Sequence, residues 1–408
     1  MSAPHILIAG GGMVGLSLAL LLHETLPETA QVTLVEGVAL PDGPAGADPP
    51  SFDARSTALS FSSAAIYREL GLWPRLEAVL APIERIHVSR RARFGSSLLS
   101  AREQRWEALG WVVDNAALGR ALLDALRGCA RVTLRCPARV AEARADGRGM
   151  QVEIDGERRA CDLLVIAEGA RSALRDRLGF LTRHRPYAQR ALIANLSFEQ
   201  HHAGCAFERF TASGPLALLP LVATPAARTR MALVWSLPPR QAERLEAAGE
   251  ADFTAALQDA FGHRLGRVRR VGRRASYPLA LTEAVEQARR GCVLLGNAAH
   301  ALHPVAGQGF NLALRDAAAL ADTLGEALRR RVAVGDTAVL RAYLEARARD
   351  QAQTIGASHV LPALFMRNDP LFAMGRGLAL AGLDLAPALR RAFVRQAAGM
   401  AALEAQRA

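Results

Sequence analysis

The sequence predicts an α/β fold with an inserted, mostly antiparallel β-sheet and a helical C-terminus. Three observations predict it. In the first, residues 5–16, a short apolar β-type run enters Gly10-Gly11-Gly12-Met13-Val14-Gly15 and continues as an apolar helix. The second is a change of texture between Arg190 and Tyr277, where alternating segments at 191–198, 205–210, 215–221, 231–237 and 267–276 are interrupted by helical stretches at 241–248 and 252–261. The third is the run from Gly291 to Leu312, in which a strand stops at Gly296 and a glycine-containing loop leads into a long helix near Asn311.

Strand, Gly-x-Gly-x-x-Gly and helix, in that order, are what a dinucleotide phosphate requires of a Rossmann-like domain. Gly10 permits the tight turn, Gly12 lets the backbone approach the pyrophosphate, and Gly15 lets the helix pack on the strand, so the phosphates meet free N–H groups at the helix start. Gln31–Val35 reads as a second strand and ends in Glu36, about 20 residues after Gly15, where an acidic side chain takes the ribose hydroxyls. Glu36 disfavours a 2′-phosphate, so the nucleotide is FAD or NAD and not NADP. Residues 41–50 form an irregular Pro/Gly/Ala/Asp loop that ends at Phe52-Asp-Ala-Arg55. Arg55 either pairs with the pyrophosphate or is solvated, and spacing does not choose between them. Further on, 62–72 reads as a helix, 85–89 and 110–113 as strands, 116–126 as a helix, and 131–135 and 150–154 as strands. From Cys161 a buried strand runs into Glu168-Gly169 and then a short basic helix.

The third glycine-rich run ends at a helix start, which presents N–H groups and positive dipole to an anion such as a reduced flavin ring. His300 and His303 lie three apart without a third ligand, so no metal is expected. Residues 336–356 read as a charged amphipathic helix. The remainder, 361–408, alternates apolar groups with arginines; helices packed on the first domain are the favoured reading, and a face for a membrane surface or partner is the other.

At 408 residues the chain is too long for one small core, and with 50% hydrophobic residues it has enough to bury in two domains or one with a large insertion. The apolar run 6–22 is short for a membrane span and holds four glycines in the nucleotide pattern, so no transmembrane helix is expected. The N-terminus enters the strand without a basic leader, and Cys129, Cys136, Cys161, Cys205 and Cys292 show no CxxC spacing; both point to a reducing, cytoplasmic setting without a disulfide framework or zinc site. All 50 basic residues are arginine, which excludes a Schiff-base lysine and a GxxxxGK[ST] phosphate loop. A net charge of +11 would suit nucleic acid, but no recognised motif accompanies it and aromatic residues make up only 5%; no nucleic-acid partner is expected. The denser clusters, 264–274 and Arg376, Arg390, Arg391 and Arg395, are candidates for anionic lipid or acidic partners.

No second Gly-x-Gly-x-x-Gly follows a strand, so reduced nicotinamide, if used, must bind without its own nucleotide domain. The three signals together resemble the single-component flavoprotein aromatic hydroxylases, the para-hydroxybenzoate hydroxylase-like family. Phe52-Asp-Ala-Arg-Ser-Thr-Ala-Leu59, Leu109-Gly-Trp-Val-Val113, Phe207-Glu-Arg-Phe-Thr211, Gly214-Pro-Leu-Ala-Leu-Leu-Pro220, Ser276-Tyr-Pro-Leu-Ala-Leu281 and Gly296-Asn-Ala-Ala299 carry a closer resemblance to its ubiquinone-biosynthesis branch. The resemblance implies FAD, with Gly10, Gly11, Gly12, Met13, Val14 and Gly15 on the pyrophosphate, Glu36 on the adenosine ribose, Arg55 on a flavin phosphate and Asn115 near the flavin. It places Glu168 and Gly169 where the family has Asp-Gly, and Gly296 and Asn297 where it has Gly-Asp; Asn can still accept a hydrogen bond from the ribityl chain. His303, Pro304, Gly307, Gln308 and Gly309 would line the flavin's reactive side, with Phe310 and Asn311 beside them.

The implied reaction uses NADPH or NADH to reduce FAD, adds O₂ to give a flavin hydroperoxide, and passes oxygen to the ring of a polyprenylated phenol, taking 2-polyprenyl-6-methoxyphenol to the 1,4-benzoquinol. The cofactor performs this chemistry, so no acid or base side chain is assigned. A sister hydroxylase acting at another ring position or on another aromatic substrate, an NAD-dependent dehydrogenase and a non-catalytic subunit of a ubiquinone-synthesis complex are the alternatives. The expected division is 1–84, 109–182 and 276–345 for the FAD-binding domain, 85–108 and 183–275 for the substrate domain, and 346–408 for C-terminal helices. A prenylated substrate further implies a peripheral position on the inner membrane and contact with other proteins of ubiquinone biosynthesis.

Overall fold

A computed structural model describes residues 3–40, 55–91, 96–147, 149–225, 227–302 and 307–366. Its nucleotide-binding part is built on a six-stranded sheet in the order Ala288–Arg289, Cys292–Leu294, Leu163–Ile166, His5–Ala9, Gln31–Val35, Val132–Arg135. The last five strands are parallel. Ile6, Leu7, Ile8 and Leu163 to Ile166 are fully buried, as unbroken apolar strands covered on both faces must be. One face packs Ile6, Ile8 and Val165 against the helices Met13–Thr25, Asn115–Arg127 and Gln308–Arg329. The other packs Leu7, Leu164 and Leu294 against Val140, Met150 and Val152 of a three-stranded antiparallel sheet. His5–Ala9 is flanked by a strand that follows it directly and one reached much later, so the crevice at its carboxyl end is the switch point where such sheets bind ligands.

The inserted sheet has nine strands, with the order His300–Ala301, Ala275–Ala284, Thr182–Phe198, Arg230–Leu237, Pro215–Pro220, Cys205–Phe210, Arg85–Arg90, Ser96–Ser100, and Val268–Val271 pairing separately with Thr182–Phe198. It is antiparallel except where Cys205–Phe210 runs parallel to Arg85–Arg90. Two expectations are corrected here. The strand expected at 191–198 begins at Thr182, because its exposed first half has no burial to impose alternation and is held by pairing with Ala275–Ala284. The strand expected at 267–276 is two, divided near Gly272, whose Cβ position is 2.9 Å from the Asn195 carbonyl oxygen.

This sheet has two unlike faces. Leu192, Leu196, Leu216, Leu218, Leu233 and Trp235 point to the helices Pro239–Ala247 and Glu250–Phe261 and form a closed core. On the opposite face Ala206, Ala232 and Ile86 meet Ile83, Leu109 and Val112, from or beside the small sheet of Ser56–Ser60, Gly110–Asp114 and Ala81–Ile83. That small sheet joins the two parts of the molecule, and Arg230 reaches Asp114 at 3.4 Å across the join.

Other helix bounds differ from the sequence reading. The helix expected at 62–72 ends at Glu69 as Phe61–Glu69, where Gly71 takes φ +66° and reverses the chain. The helix expected near Asn311 starts earlier, as Gln308–Arg329, and the one expected at 336–356 runs as Thr337–Met366. Among the described residues no helix is long and apolar enough to cross a membrane. Arg376, Arg390, Arg391 and Arg395 lie outside the described residues.

Candidate active site

The nucleotide end is shaped by glycine. Gly10 takes φ +111°, and a Cβ there would meet the Ala167 carbonyl at 2.6 Å, so the fingerprint loop and the Glu168-Gly169 loop touch. A Cβ on Gly15 would collide with the Gly10 carbonyl oxygen, whereas Gly12 has nothing within 4 Å. That open space lies at the start of Met13–Thr25, a helix with no side-chain cap and no acid in its first turn, so its free N–H groups and dipole face it unopposed. Glu36 is held against the loop: its carboxylate accepts from the Gly11 N–H at 2.6 Å and the Val38 N–H at 2.8 Å. A pyrophosphate beside Gly12 and a ribose beside Glu36 fit this donor and acceptor set, and FAD supplies both.

The second end is assembled from four segments. The Arg55 guanidinium stacks over the Tyr277 ring, 5.4 Å from its centroid, while the Arg55 carbonyl accepts from the Asn115 N–H at 2.9 Å. Asn115 is buried and its Oδ1 accepts from Thr57 Oγ1 at 2.7 Å, so Arg55 and Asn115 are brought together as the sequence reading placed them near one ligand. Gly307, in the left-handed region at φ +61°, caps Gln308–Arg329, and a Cβ added to it would stand 3.3 Å from the Ala58 Cβ. Gln308, Gly309 and Phe310 form the first turn, whose N–H groups have no helical partner. His303 and Pro304 lie outside the described residues.

Asn311 emerges with a different emphasis. Its Oδ1 accepts from the Ser60 N–H at 2.8 Å and Ser63 Oγ at 2.7 Å, and its Nδ2 donates to the carbonyls of Ala58 and Gly307, each at 2.8 Å. The side chain is spent on the protein and clamps the Gly307 turn to Ser56–Ser60. Glu168 is likewise engaged, accepting from Ser172 Oγ at 2.7 Å, the residue that caps Ala173–Arg177. Asn297 stands exposed in the Gly296–Ala298 turn, and the Gly296 Cβ position is 3.2 Å from Val14 of the fingerprint. The loops at 10–15, 168–169 and 296–297 therefore share one crevice, with 307–311 at its edge.

Between His300 and the helices Gln308–Arg329 and Thr337–Met366 lies a buried ionic network that the sequence reading missed. His300 Nε2 meets Asp316 Oδ2 at 2.7 Å, Arg347 Nε donates to Asp316 Oδ1 at 2.6 Å, and Arg315 pairs with Asp350 at 2.8 Å. Burial by itself would raise the Asp316 carboxyl, but His300 and Arg347 hold it below the ordinary aspartate range. The sequence offers His300 only as half of a metal pair, because a histidine 16 residues before an aspartate carries no periodic signal for such a contact. Burial pushes the thiols of Cys161 and Cys292 up to about 12, which leaves them as packing groups without thiolate chemistry.

The sequence matches the FAD binding domain family over residues 4–358. The chain belongs to the FAD-binding aromatic hydroxylases. Ubiquinone hydroxylase UbiL of Rhodospirillum rubrum is 34% identical over 97% of this chain and 89% of its own length. The 3-demethoxyubiquinol 3-hydroxylase of Escherichia coli is 31% identical over 97% and 98% of the two chains. The hydroxylase's fold matches the crystal structure of p-nitrophenol 4-monooxygenase from Pseudomonas putida with a TM-score of 0.76 at 18% identity, covering 97% and 98% of the chains. The protein is thus an FAD-dependent aromatic monooxygenase of the ubiquinone-biosynthesis branch, and FAD is the nucleotide where composition and spacing left FAD or NAD.

Proposed function

We propose that this hydroxylase uses NADPH or NADH and O₂ to hydroxylate a polyprenylated phenol of ubiquinone biosynthesis, taking 2-polyprenyl-6-methoxyphenol to the 1,4-benzoquinol. The observation that carries the reading is the crevice of FAD-fitting loops facing the half-covered, largely apolar side of the inserted sheet, in a chain matched almost end to end by ubiquinone hydroxylases. When bound, FAD supplies an electrophilic oxygen from O₂ after reduction by the nicotinamide.

The protein's contribution is placement. Gly12 and the start of Met13–Thr25 hold the pyrophosphate, Glu36 the ribose, and Arg55 with Asn115 the phosphate and flavin side. The first-turn N–H groups of Gln308, Gly309 and Phe310 aim at negative charge on the reduced ring. The apolar sheet face excludes water and seats the substrate ring. A nicotinamide that binds without a nucleotide domain of its own accounts for the single fingerprint. Association with the inner membrane and with other proteins of the pathway would bring the prenyl chain to the site.

Hydroxylation at another ring position is the second reading, favoured by the Escherichia coli relative's name. One experiment separates the readings. The detergent-purified protein is given NADPH or NADH with short-chain 2-prenyl-6-methoxyphenol or short-chain 3-demethoxyubiquinol, and products are followed by mass spectrometry. The first reading expects a flavin spectrum and one added oxygen on the methoxyphenol alone; product from the demethoxyubiquinol alone establishes the second. A flavin-bound protein that oxidises neither ring overturns both.

A further inference from the structure

We propose that Glu208 is the substrate-holding and proton-accepting residue of this active site, its carboxylate taking the hydroxyl of the ring that is to be oxygenated. The inference rests on the phenolic substrate proposed above.

Strand Cys205–Phe210 alternates between the two faces of the sheet. Phe207 packs edge-on against Phe261, with centroids 5.4 Å apart, and Arg209 Nε donates to the Ala260 carbonyl at 3.0 Å, so both point to the closed helical core. Glu208 therefore points the other way, with Ala206, toward the FAD-binding part. It is paired with Ala217 and Val88, and the same cross-strand row continues through Val234 to Ile193. Every other residue in that row is aliphatic, and all are half-buried. The neighbouring row through Ala206 and Ala232 is sealed against Ile83 and Val112, while Tyr277 on the same face reaches Arg55. The row of Glu208 is thus the uncovered strip between the join of the two parts and the cofactor side.

Glu208 has no hydrogen bond or ion pair among the described residues, and its surroundings push the carboxyl up to about 7 through burial, with no cation beside it. A half-buried carboxylate set among aliphatic groups without a donor is unfavourable, and no described residue of its own fold engages it. A phenol O–H in that strip supplies the missing donor, and a carboxyl poised near neutral pH is matched to accept a proton. As the ring carbon bonds to the electrophilic oxygen that bound FAD would supply, that oxygen's O–O bond breaks, the electron pair leaving with the other oxygen, which takes up a proton from water, and the phenolic O–H breaks. Its proton passes to Glu208, and its electron pair becomes the C=O of a ring ketone. Loss of the ring C–H proton to water restores aromaticity while Glu208 returns its proton to the ring oxygen, leaving the carboxylate as it began.

The test uses FAD-loaded protein with Glu208→Leu and Glu208→Gln. Calorimetry compares 2-methoxyphenol with 1,2-dimethoxybenzene, in which a methyl group replaces the hydroxyl hydrogen and removes the donor. Wild type is expected to prefer the phenol by about tenfold or more, the worth of a hydrogen bond to a charged group. Glu208→Leu should bind both alike and Glu208→Gln fall between, with FAD stoichiometry and Tm unchanged or Tm raised. In turnover both variants should lose product and release hydrogen peroxide for the NAD(P)H consumed. A Glu208→Leu protein that keeps the phenol preference, or that couples NAD(P)H to product as wild type does, overturns the inference, as does a wild type without the preference. A wild type that shows the preference yet hydroxylates no prenylated phenol overturns the proposed reaction and leaves the Glu208 contact standing.

Discussion

At the scale of single residues, two glycines of one motif carry different burdens. Gly12→Ala adds a methyl to open space, so the apoprotein should fold with its Tm unchanged while FAD affinity falls at least about tenfold by loss of close phosphate approach. Gly15→Ala drives a methyl into the Gly10 carbonyl and should yield little soluble protein. Circular dichroism and flavin titration of the two variants check this; equal behaviour would contradict the packing role of Gly15. Asn311→Ala strips partners from the buried Ser60 N–H and the carbonyls of Ala58 and Gly307, which should cost about 2–4 kcal/mol in urea unfolding. The glycine roles were legible because spacing alone determines them. The Asn311 clamp was not, since its Ser60 partner lies 251 positions away and no local pattern records it.

At the scale of elements, Gln308–Arg329 and Thr337–Met366 are bolted together by the Asp316 and Asp350 pairs. Arg347 serves both carboxylates, donating to Asp350 as well as Asp316. Burial pushes the Asp350 carboxyl up, but Arg315 and Arg347 more than offset it, and both carboxyls end below the ordinary value of 3.8. Their folded-state values being depressed, this stability is fully present above pH 3.8 and drains away as pH falls through the lower folded values. Urea midpoints measured from pH 6 to pH 3 should drop most steeply below about pH 4, and Asp316→Asn should flatten that limb. The same variant leaves Arg347 short of one buried charge partner and should cost about 3–5 kcal/mol at pH 7. The glycine-containing loop located the first helix, near Asn311, and amphipathic patterning located the second, at 336–356. Neither signal could give the network, because Asp316, Arg347 and Asp350 meet only when the two helices pack against each other.

At the scale of the molecule, the FAD-fitting crevice draws on loops at 10–15, 36, 55, 168, 296 and 307–311, so cofactor binding ties distant segments to one another. Removing FAD should lower Tm by several degrees, since a ligand at a hundredfold excess over its Kd stabilises by about 2.7 kcal/mol; an unchanged Tm would refute the assignment of these loops. The sequence by itself determined the α/β class with an inserted antiparallel sheet, the dinucleotide fingerprint and the acid at Glu36. These depend on backbone freedom at glycine, on apolar runs and on two-residue alternation, all of them local properties. Tertiary structure alone decided that Asn311 clamps a turn, that His300 and Asp316 form a buried pair, and that Glu208 lies on the sheet face turned from the helical core. Those outcomes depend on which distant strand or helix lies opposite, and strand register and helix packing are set only when the chain closes on itself.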